Sequence, residues 1–347
     1  MNSFEDEIKF ELENNIIHGA VILTGTLKGT LVEKAWGYAD IDSKIPMRID
    51  TIFDLASITK VLASTTAIAI CCDDGLVDFD EPFTKYLPEY TAPLEEAITI
   101  RDLAMHISGF GQQVHYEALT GSEIRHNLLT VSPQYLPHEK FEYSCWNFHL
   151  LGMIVEKVTG KSLPDFCRER IFEPLNMRYT SLGKPVIQDI SRLAKTCNTE
   201  KSGEISDYIA FRLYRDGFTA GNAGAFSCTG DLAKFCRCVL KGGRYAQNKR
   251  LFSDYTFDAI TQPRMRWLTV QRSLGWIVSD ELKPYGFSEH TLYHSGWSGQ
   301  TIFLDLDKQF YAIVLTTRIS DEYARAKLGR FRIISDLGKL LQKNVLK

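Results

Sequence analysis

Apolar residues in this chain recur with two different periods. Near the start, Phe4, Ile8, Phe10 and Leu12 alternate with charged residues at helical spacing, which predicts a short amphipathic helix over residues 3–15. Two strand-like runs follow, 19–24 and 30–36, parted by a turn at Lys28 and Gly29. The longest apolar stretch, 61–72, contains Ser64, Thr65 and Thr66; it is too short and too polar to span a bilayer and predicts a buried core helix. From about residue 80 to 255 the pattern is helices and loops, with helices at 100–106, 148–158, 163–171 and 229–240, the last opening on Thr229-Gly230-Asp231 as its cap. The final third returns to strands at 274–278, 301–305 and 310–316 and closes with a helix from about 321 to 343. Strands at both ends with helices between them predict an α/β (α+β) architecture. Residues 1–80 and 256–347 would form a sheet domain built from both termini, and 81–255 a mostly helical one.

Composition narrows the function classes. A chain of 347 residues is long enough for about two domains. With 44% hydrophobic residues, 24% charged residues and a net charge of -3, it reads as an ordinary globular protein, with no nucleic-acid partner. The first residues, MNSFEDEIKFELENN, lack the basic and apolar regions of a secretory signal, so a cytoplasmic protein without a membrane partner is expected. None of the eight cysteines falls in a Cys-x-x-Cys spacing, which argues against a zinc ribbon or a thioredoxin-type site. Reduced, mostly buried thiols are expected, with no metal and no cofactor.

Two Ser-x-x-Lys sequences are present, and a chain of this length should hold about one by chance. Ser181-Leu182-Gly183-Lys184 has Gly inside it and Pro185 directly after it, which opposes the helical turn that would bring Lys back to Ser. Ser57-Ile58-Thr59-Lys60 instead enters the predicted core helix, where positions i and i+3 share a face and the amine can reach the hydroxyl. The helix N-terminus also supplies N–H groups and a positive dipole end for a developing oxyanion. Taken alone, Ser57 is equally well explained as a helix cap.

Its company decides. Tyr143-Ser144-Cys145 and His294-Ser295-Gly296 follow in the order that second and third walls of one cleft require. With them the chain resembles the superfamily of class C β-lactamases, D-alanyl-D-alanine peptidases and family VIII-type esterases, which includes the penicillin-binding proteins. The family's first motif matches Ser57 and Lys60, its Tyr-x-Asn motif matches Tyr143, and its Lys/His-Thr/Ser-Gly motif matches His294, Ser295 and Gly296. His106 to Gly109, Leu150 to Gly160, Glu173 to Met177 and Gly221 to Phe235 also look like the family. The resemblance implies a β-lactamase/transpeptidase-like fold: an antiparallel sheet flanked by helices, with a helical insertion and the active site at the interface.

It further implies that Ser57 attacks an acyl carbonyl while Lys60 and Tyr143 share the proton transfers, and that water then resolves the acyl-enzyme. His294 completes the catalytic group, the backbone N–H groups of Ser57 and Trp297 form the oxyanion hole, the latter just past an edge strand, and Cys145, Ser295, Gly296 and Gln113 contact substrate. Trp146 and Trp297 are candidates to line an acyl pocket, with core packing as the alternative.

Two departures bear on substrate. Cys145 stands where the family places Asn, and a thiol cannot donate and accept as an amide does. His294 carries only partial positive charge at pH 7 if its pKa is ordinary, so a substrate carboxylate would be held weakly. The expected activity is therefore that of an esterase or small-amide hydrolase with at most weak β-lactamase activity, on a small-molecule ester, amide or β-lactam. The alternative is a penicillin-binding or D-Ala-D-Ala carboxypeptidase-like protein that acylates with little turnover. His290 and His294 have zinc-helix spacing, but the residues between them favour a strand, on which the two would lie too far apart for one metal.

Overall fold

The computed structural model describes residues 3–111, 119–197, 199–263, 270–279, 284–318 and 323–345. Eight strands form one antiparallel sheet. In chain order they are β1 (Ile17–Thr26), β2 (Gly29–Asp40), β3 (Ile45–Pro46), β4 (Gln271–Arg272), β5 (Ile277–Ser279), β6 (Thr291–Ser295), β7 (Gln300–Asp305) and β8 (Phe310–Arg318). Their spatial order is β3-β2-β1-β8-β7-β6-β5-β4, so the first and last long strands, β1 and β8, lie side by side with Val21 opposite Leu315.

Both faces of the sheet's central strands are buried. Side chains alternate along a strand, and here Val21, Leu23, Ile302, Leu304, Ile313 and Leu315 enter one core while Ala20, Ile22, Phe303, Ala312 and Val314 enter another. That explains why 19–23 in β1 and 310–315 in β8 read as unbroken apolar runs rather than alternating ones. The helices Phe4–Glu13 and Tyr323–Val345 cover the second face through Phe4, Ile8, Ile333, Ile334 and Leu337. The first face packs on the helical middle of the chain, including Thr229–Leu240 and the segment from Ala56 to Asp73. Ala56–Asp73 is long and apolar enough to cross a membrane, yet 89% of that window is buried against the rest of the chain, as a core helix would be.

Local differences from the sequence reading have local causes. The strand expected at 274–278 is a hairpin, β4 to β5, because Gly275 takes φ +76° and turns the chain there. The helix expected from Phe148 spans Cys145–Thr159, since Ser144 caps it by accepting from the Trp146 N–H at 3.2 Å. The segment expected as one helix over 163–171 is α-helical only to Cys167 and continues as a wider π turn over Arg168–Phe172. Cys228, with no capping hydrogen bond, precedes Thr229–Leu240, because Asp231 is engaged elsewhere, accepting from the Tyr179 N–H at 2.7 Å.

One contact between the terminal helices makes stability depend on pH. The Glu11 side chain is buried against the Gly329 backbone, and neither of its oxygens has a hydrogen-bond partner among the described residues. Burial, aided by Glu7 and opposed by Arg330, Arg332 and Arg325, raises its pKa from 4.5 to about 7. The folded carboxyl thus keeps a proton that the unfolded chain releases near 4.5, so its contribution is complete below that pH and is lost as pH rises through 7. Glu11→Gln is expected to raise the melting temperature by a few degrees at pH 8 and to change little at pH 4.5, the difference amounting to at most about 3 kcal/mol. Thermal unfolding of both proteins across that range measures it.

Candidate active site

The short strand Phe53–Asp54 pairs with Ala225–Ser227, and the Leu55 N–H donates to Ala225 O at 2.8 Å. The chain then bends sharply. Ala56 adopts φ +45°, a left-handed conformation that costs a non-glycine residue about 1–2 kcal/mol. Ala56–Ile58 forms a single 3-10 turn and Lys60–Thr65 a π turn, before α-helix begins at Thr66. The expected α-helix around Ser57 is therefore wound tighter at its start and wider after it. Lys60 opens the π turn three residues after Ser57, close to one helical turn on, and its amine reaches back to the serine: Nζ donates to Ser57 Oγ at 3.0 Å.

Lys60 is fully buried, and each of its three ammonium protons has a neighbour. Besides Ser57 these are Asn222 O at 3.2 Å and Cys145 Sγ at 3.6 Å. Burial by itself pushes the amine's proton affinity down; Cys145 and Tyr143 beside it, with Asp207 beyond, outweigh burial and hold Lys60 above its ordinary value. Asn222 reaches the amine because Gly221 lets its loop press onto the Cys145–Thr159 helix. A Cβ on Gly221 would sit 1.9 Å from Phe148 O.

Tyr143 enters the cleft just ahead of that helix. Its ring centre lies 4.5 Å from that of His106, 5.0 Å from Lys60 Nζ, 5.6 Å from the Arg272 guanidinium carbon and 6.4 Å from the His294 ring. His106 ends the Ile100–Met105 helix in a left-handed conformation, and its Nδ1 accepts from the Ser144 N–H at 3.0 Å. Ser108 Oγ donates to Asn147 Oδ1 at 2.7 Å. The His106-Ile107-Ser108-Gly109 turn thus braces the segment that carries Tyr143.

On β6, His294 shares the face of Leu292, which enters the core between the sheet and the helical layer. Its Nδ1–H donates to Ser295 O at 3.1 Å. Burial, then the charges of Arg272 and Lys60, hold its pKa well below the usual histidine value, so it is a neutral imidazole at pH 7. The partial charge expected of it is absent. Positive charge around Tyr143 resides instead on Lys60 and Arg272.

Gly296 brings this third motif against the first. A Cβ there would lie 2.7 Å from Leu55 O and 3.2 Å from the Ala56 Cβ. Trp297 follows in a turn closed by the Gly296 N–H donating to Gln300 O at 2.7 Å, and the Arg318 guanidinium packs 4.9 Å from its ring centre. Because β6 runs between β5 and β7, Trp297 follows an interior strand and not the expected edge strand. Ser295 and Cys145 are half-buried beside the same group. Trp146 is 3% exposed within the main core, which removes it from the candidate pocket lining. Gln113 lies outside the described residues.

The competing Ser-x-x-Lys does not assemble. Ser181 lies in a two-residue strand, Gly183 takes φ +85°, and Ser181 Oγ donates to the backbone oxygen of Lys184 at 2.5 Å while that lysine is exposed. His290 pairs with Asp307 at 2.9 Å, and among the described residues no group of three metal-binding side chains occurs. All eight cysteines are free. Sequence reasoning missed Asn222 and Arg272. Asn222 acts through its backbone carbonyl, which no side-chain motif reveals, and Arg272 belongs to no recognisable spacing.

An antiparallel sheet packed on a helical layer, with a buried Ser–Lys pair, a tyrosine and a His-Ser-Gly turn converging between them, defines a serine hydrolase of β-lactamase-like fold. The chain belongs to the β-lactamase family, whose model, Beta-lactamase, matches residues 9–332. A putative D-alanyl-D-alanine carboxypeptidase of Escherichia coli (strain K12) is 28% identical over 331 residues, which span 82% of this chain and 75% of that one. Among solved structures, EstCE1, a hydrolase with promiscuous acyltransferase activity, superposes with a TM-score of 0.78 at 20% identity, covering 96% of this chain and 97% of its own. A penicillin-binding protein homologue from Caulobacter crescentus also gives 0.78, at 18% identity, covering 96% of this chain and 95% of its own.

Proposed function

We propose that the protein hydrolyses esters or small amides through an acyl-enzyme on Ser57, with at most weak β-lactamase activity. The observation that carries this reading is the 3.0 Å hydrogen bond from the buried Lys60 amine to Ser57 Oγ. Tyr143, whose ring centre lies 5.0 Å from the same amine, is the neighbouring group placed to pass a proton on. Tyr143 takes the Ser57 proton as the serine oxygen attacks, while the Lys60 ammonium holds that oxygen through the hydrogen bond it donates; the pair then returns a proton to the leaving group, after which water releases the acyl group. The N–H groups of Ser57 and Trp297 receive the oxyanion.

The neutral His294 supports ester or uncharged-amide substrates, since the third motif brings no cation for a carboxylate. Arg272, 5.6 Å from the Tyr143 ring centre, favours a second reading: a carboxypeptidase-like protein acylated by peptide or β-lactam with little turnover. Short-chain nitrophenyl esters and a chromogenic cephalosporin, assayed side by side with intact-protein mass measurement, separate the two. Ester turnover without an accumulating adduct is expected; a stable penicilloyl adduct with no ester turnover establishes the second reading.

Cys145→Asn tests what the thiol excludes. An amide at this position, 3.6 Å from Lys60, can accept from the amine and donate to a substrate carbonyl together. One such hydrogen bond is worth about 1 kcal/mol, so kcat/KM for amides or β-lactams relative to esters should rise by about fivefold to tenfold. An unchanged ratio would show that residue 145 does not face the substrate amide.

A further inference from the structure

Asp54 lies three residues before Ser57 and is 1% exposed. Its two oxygens accept three hydrogen bonds from two separate segments. Oδ1 takes the Ala56 N–H at 3.1 Å; Oδ2 takes the Ser206 N–H at 2.9 Å and the Ser206 hydroxyl at 2.5 Å. The first bond holds the strained residue that presents Ser57, since Ala56 at φ +45° persists only where its surroundings enforce it. Thr59 Oγ1 fixes the other side of the same residue by donating to Ala56 O at 2.7 Å.

The bonds to Ser206 reach the lysine. Asp207, next in the chain, caps the Tyr208–Arg215 helix by accepting from the Ala210 N–H at 2.8 Å, and it also accepts from Asn222 Nδ2 at 3.3 Å. Asn222 O is in turn the backbone acceptor of the Lys60 amine at 3.2 Å. A single buried carboxylate therefore joins the turn carrying the nucleophile to the loop that orients the amine.

We propose that Asp54 is a positioning residue for acyl transfer at Ser57, its carboxylate locking the left-handed Ala56 turn and tying it to the Ser206–Asn222 segment that orients Lys60. The inference rests on Ser57 being the nucleophile. It also has a pH signature. Burial raises the Asp54 pKa to about 6, opposed by the hydrogen bonds from Ser206 and Ala56 and reinforced by Asp207. The ionisable groups facing it are Asp207 on the Ser206 side, Cys197 from the neighbouring loop and, across Asn222, Lys60. Below about pH 6 the carboxyl gains a proton on one oxygen, which sets a donor against the Ser206 donors at Oδ2 or the Ala56 N–H at Oδ1, and the tie between the two segments loosens.

The test measures acylation of Ser57 by a fluorophosphonate probe, located by mass, together with kcat and KM for a nitrophenyl ester from pH 4.5 to 8. In Asp54→Asn the amide nitrogen meets the Ser206 N–H with no acceptor to offer. Acylation and kcat at pH 7.5 should fall about 30-fold to 100-fold with KM within threefold, and the wild-type acid limb near pH 6 should disappear. Ser206→Ala removes one donor and keeps the carboxylate, so the acid limb should move to higher pH in a protein that folds even if Asp54→Asn does not. Asp54→Asn acylating within threefold of wild type, or an acid limb unmoved in both variants, overturns the proposal. Labelling of the wild type at a residue other than Ser57 overturns the nucleophile assignment itself, and this inference with it.

Discussion

Ser57→Ala is expected to abolish ester turnover, lowering kcat by at least about 10⁴-fold, whereas Ser181→Ala should leave it within twofold of wild type. The two serines sit in identical four-residue patterns, so the comparison isolates what the surroundings contribute. Ser57 Oγ receives a hydrogen bond from a fully buried amine, on a turn that the Gly296 backbone and Ala225 hold from two sides. Ser181 Oγ instead donates to a backbone carbonyl, leaving no base to take its proton. Removing the oxygen that becomes acylated eliminates the covalent route, and only binding and oxyanion stabilisation remain. Steady-state rates on a nitrophenyl ester, with intact-protein mass after probe treatment, check both halves. Full turnover in Ser57→Ala would end the proposed mechanism.

Lys60→Met should lower kcat by about 10³-fold while leaving thermal stability equal to wild type or above it. Methionine nearly preserves the volume of the buried stem, so the core around Val61, Leu62 and Phe148 need not collapse. Removing the ammonium also relieves the cost of keeping a charge out of water, a cost that structural ion pairs often fail to recover. Stability and activity are thus expected to move in opposite directions, the pattern of a group retained for chemistry. The variant leaves Asn222 O and the Ser57 hydroxyl without their donor, and KM should change less than kcat because the amine acts on the reacting oxygen. Parallel melting curves and ester kinetics decide it. Lost stability with retained turnover would make Lys60 a structural residue.

Much of the fold was legible because burial leaves a direct mark on the residue pattern. The runs 19–23 in β1 and 310–315 in β8 are apolar at every position, which a strand needs only when both of its faces are covered, and Phe4, Ile8 and Leu12 recur at the spacing of the helix that covers one of them. Ser57 could be preferred over Ser181 from Gly183 and Pro185 alone, since both disfavour a helical turn. The β4–β5 hairpin was not legible, because Ser273-Leu274-Gly275-Trp276 is as apolar as a strand and only the left-handed Gly275 shows the reversal. The 3-10 and π turns flanking Thr59 were also hidden, since every residue from Ala56 to Thr65 is buried and a segment buried on all sides carries no periodicity from which its winding could be read.

In the site, the sequence by itself determined which side chains are available and in what order: Ser57 with Lys60, then Tyr143, then His294-Ser295-Gly296. Those are matters of local spacing, written in neighbouring residues. Only the tertiary structure decided their state. His294 is neutral because burial and the distant Arg272 and Lys60 suppress its charge; Lys60 stays charged because Cys145 and Tyr143 from one segment and Asp207 from another converge on it. Proton affinity follows the field of groups remote in sequence and the water excluded around them, and neither has any signature in the chain until it folds.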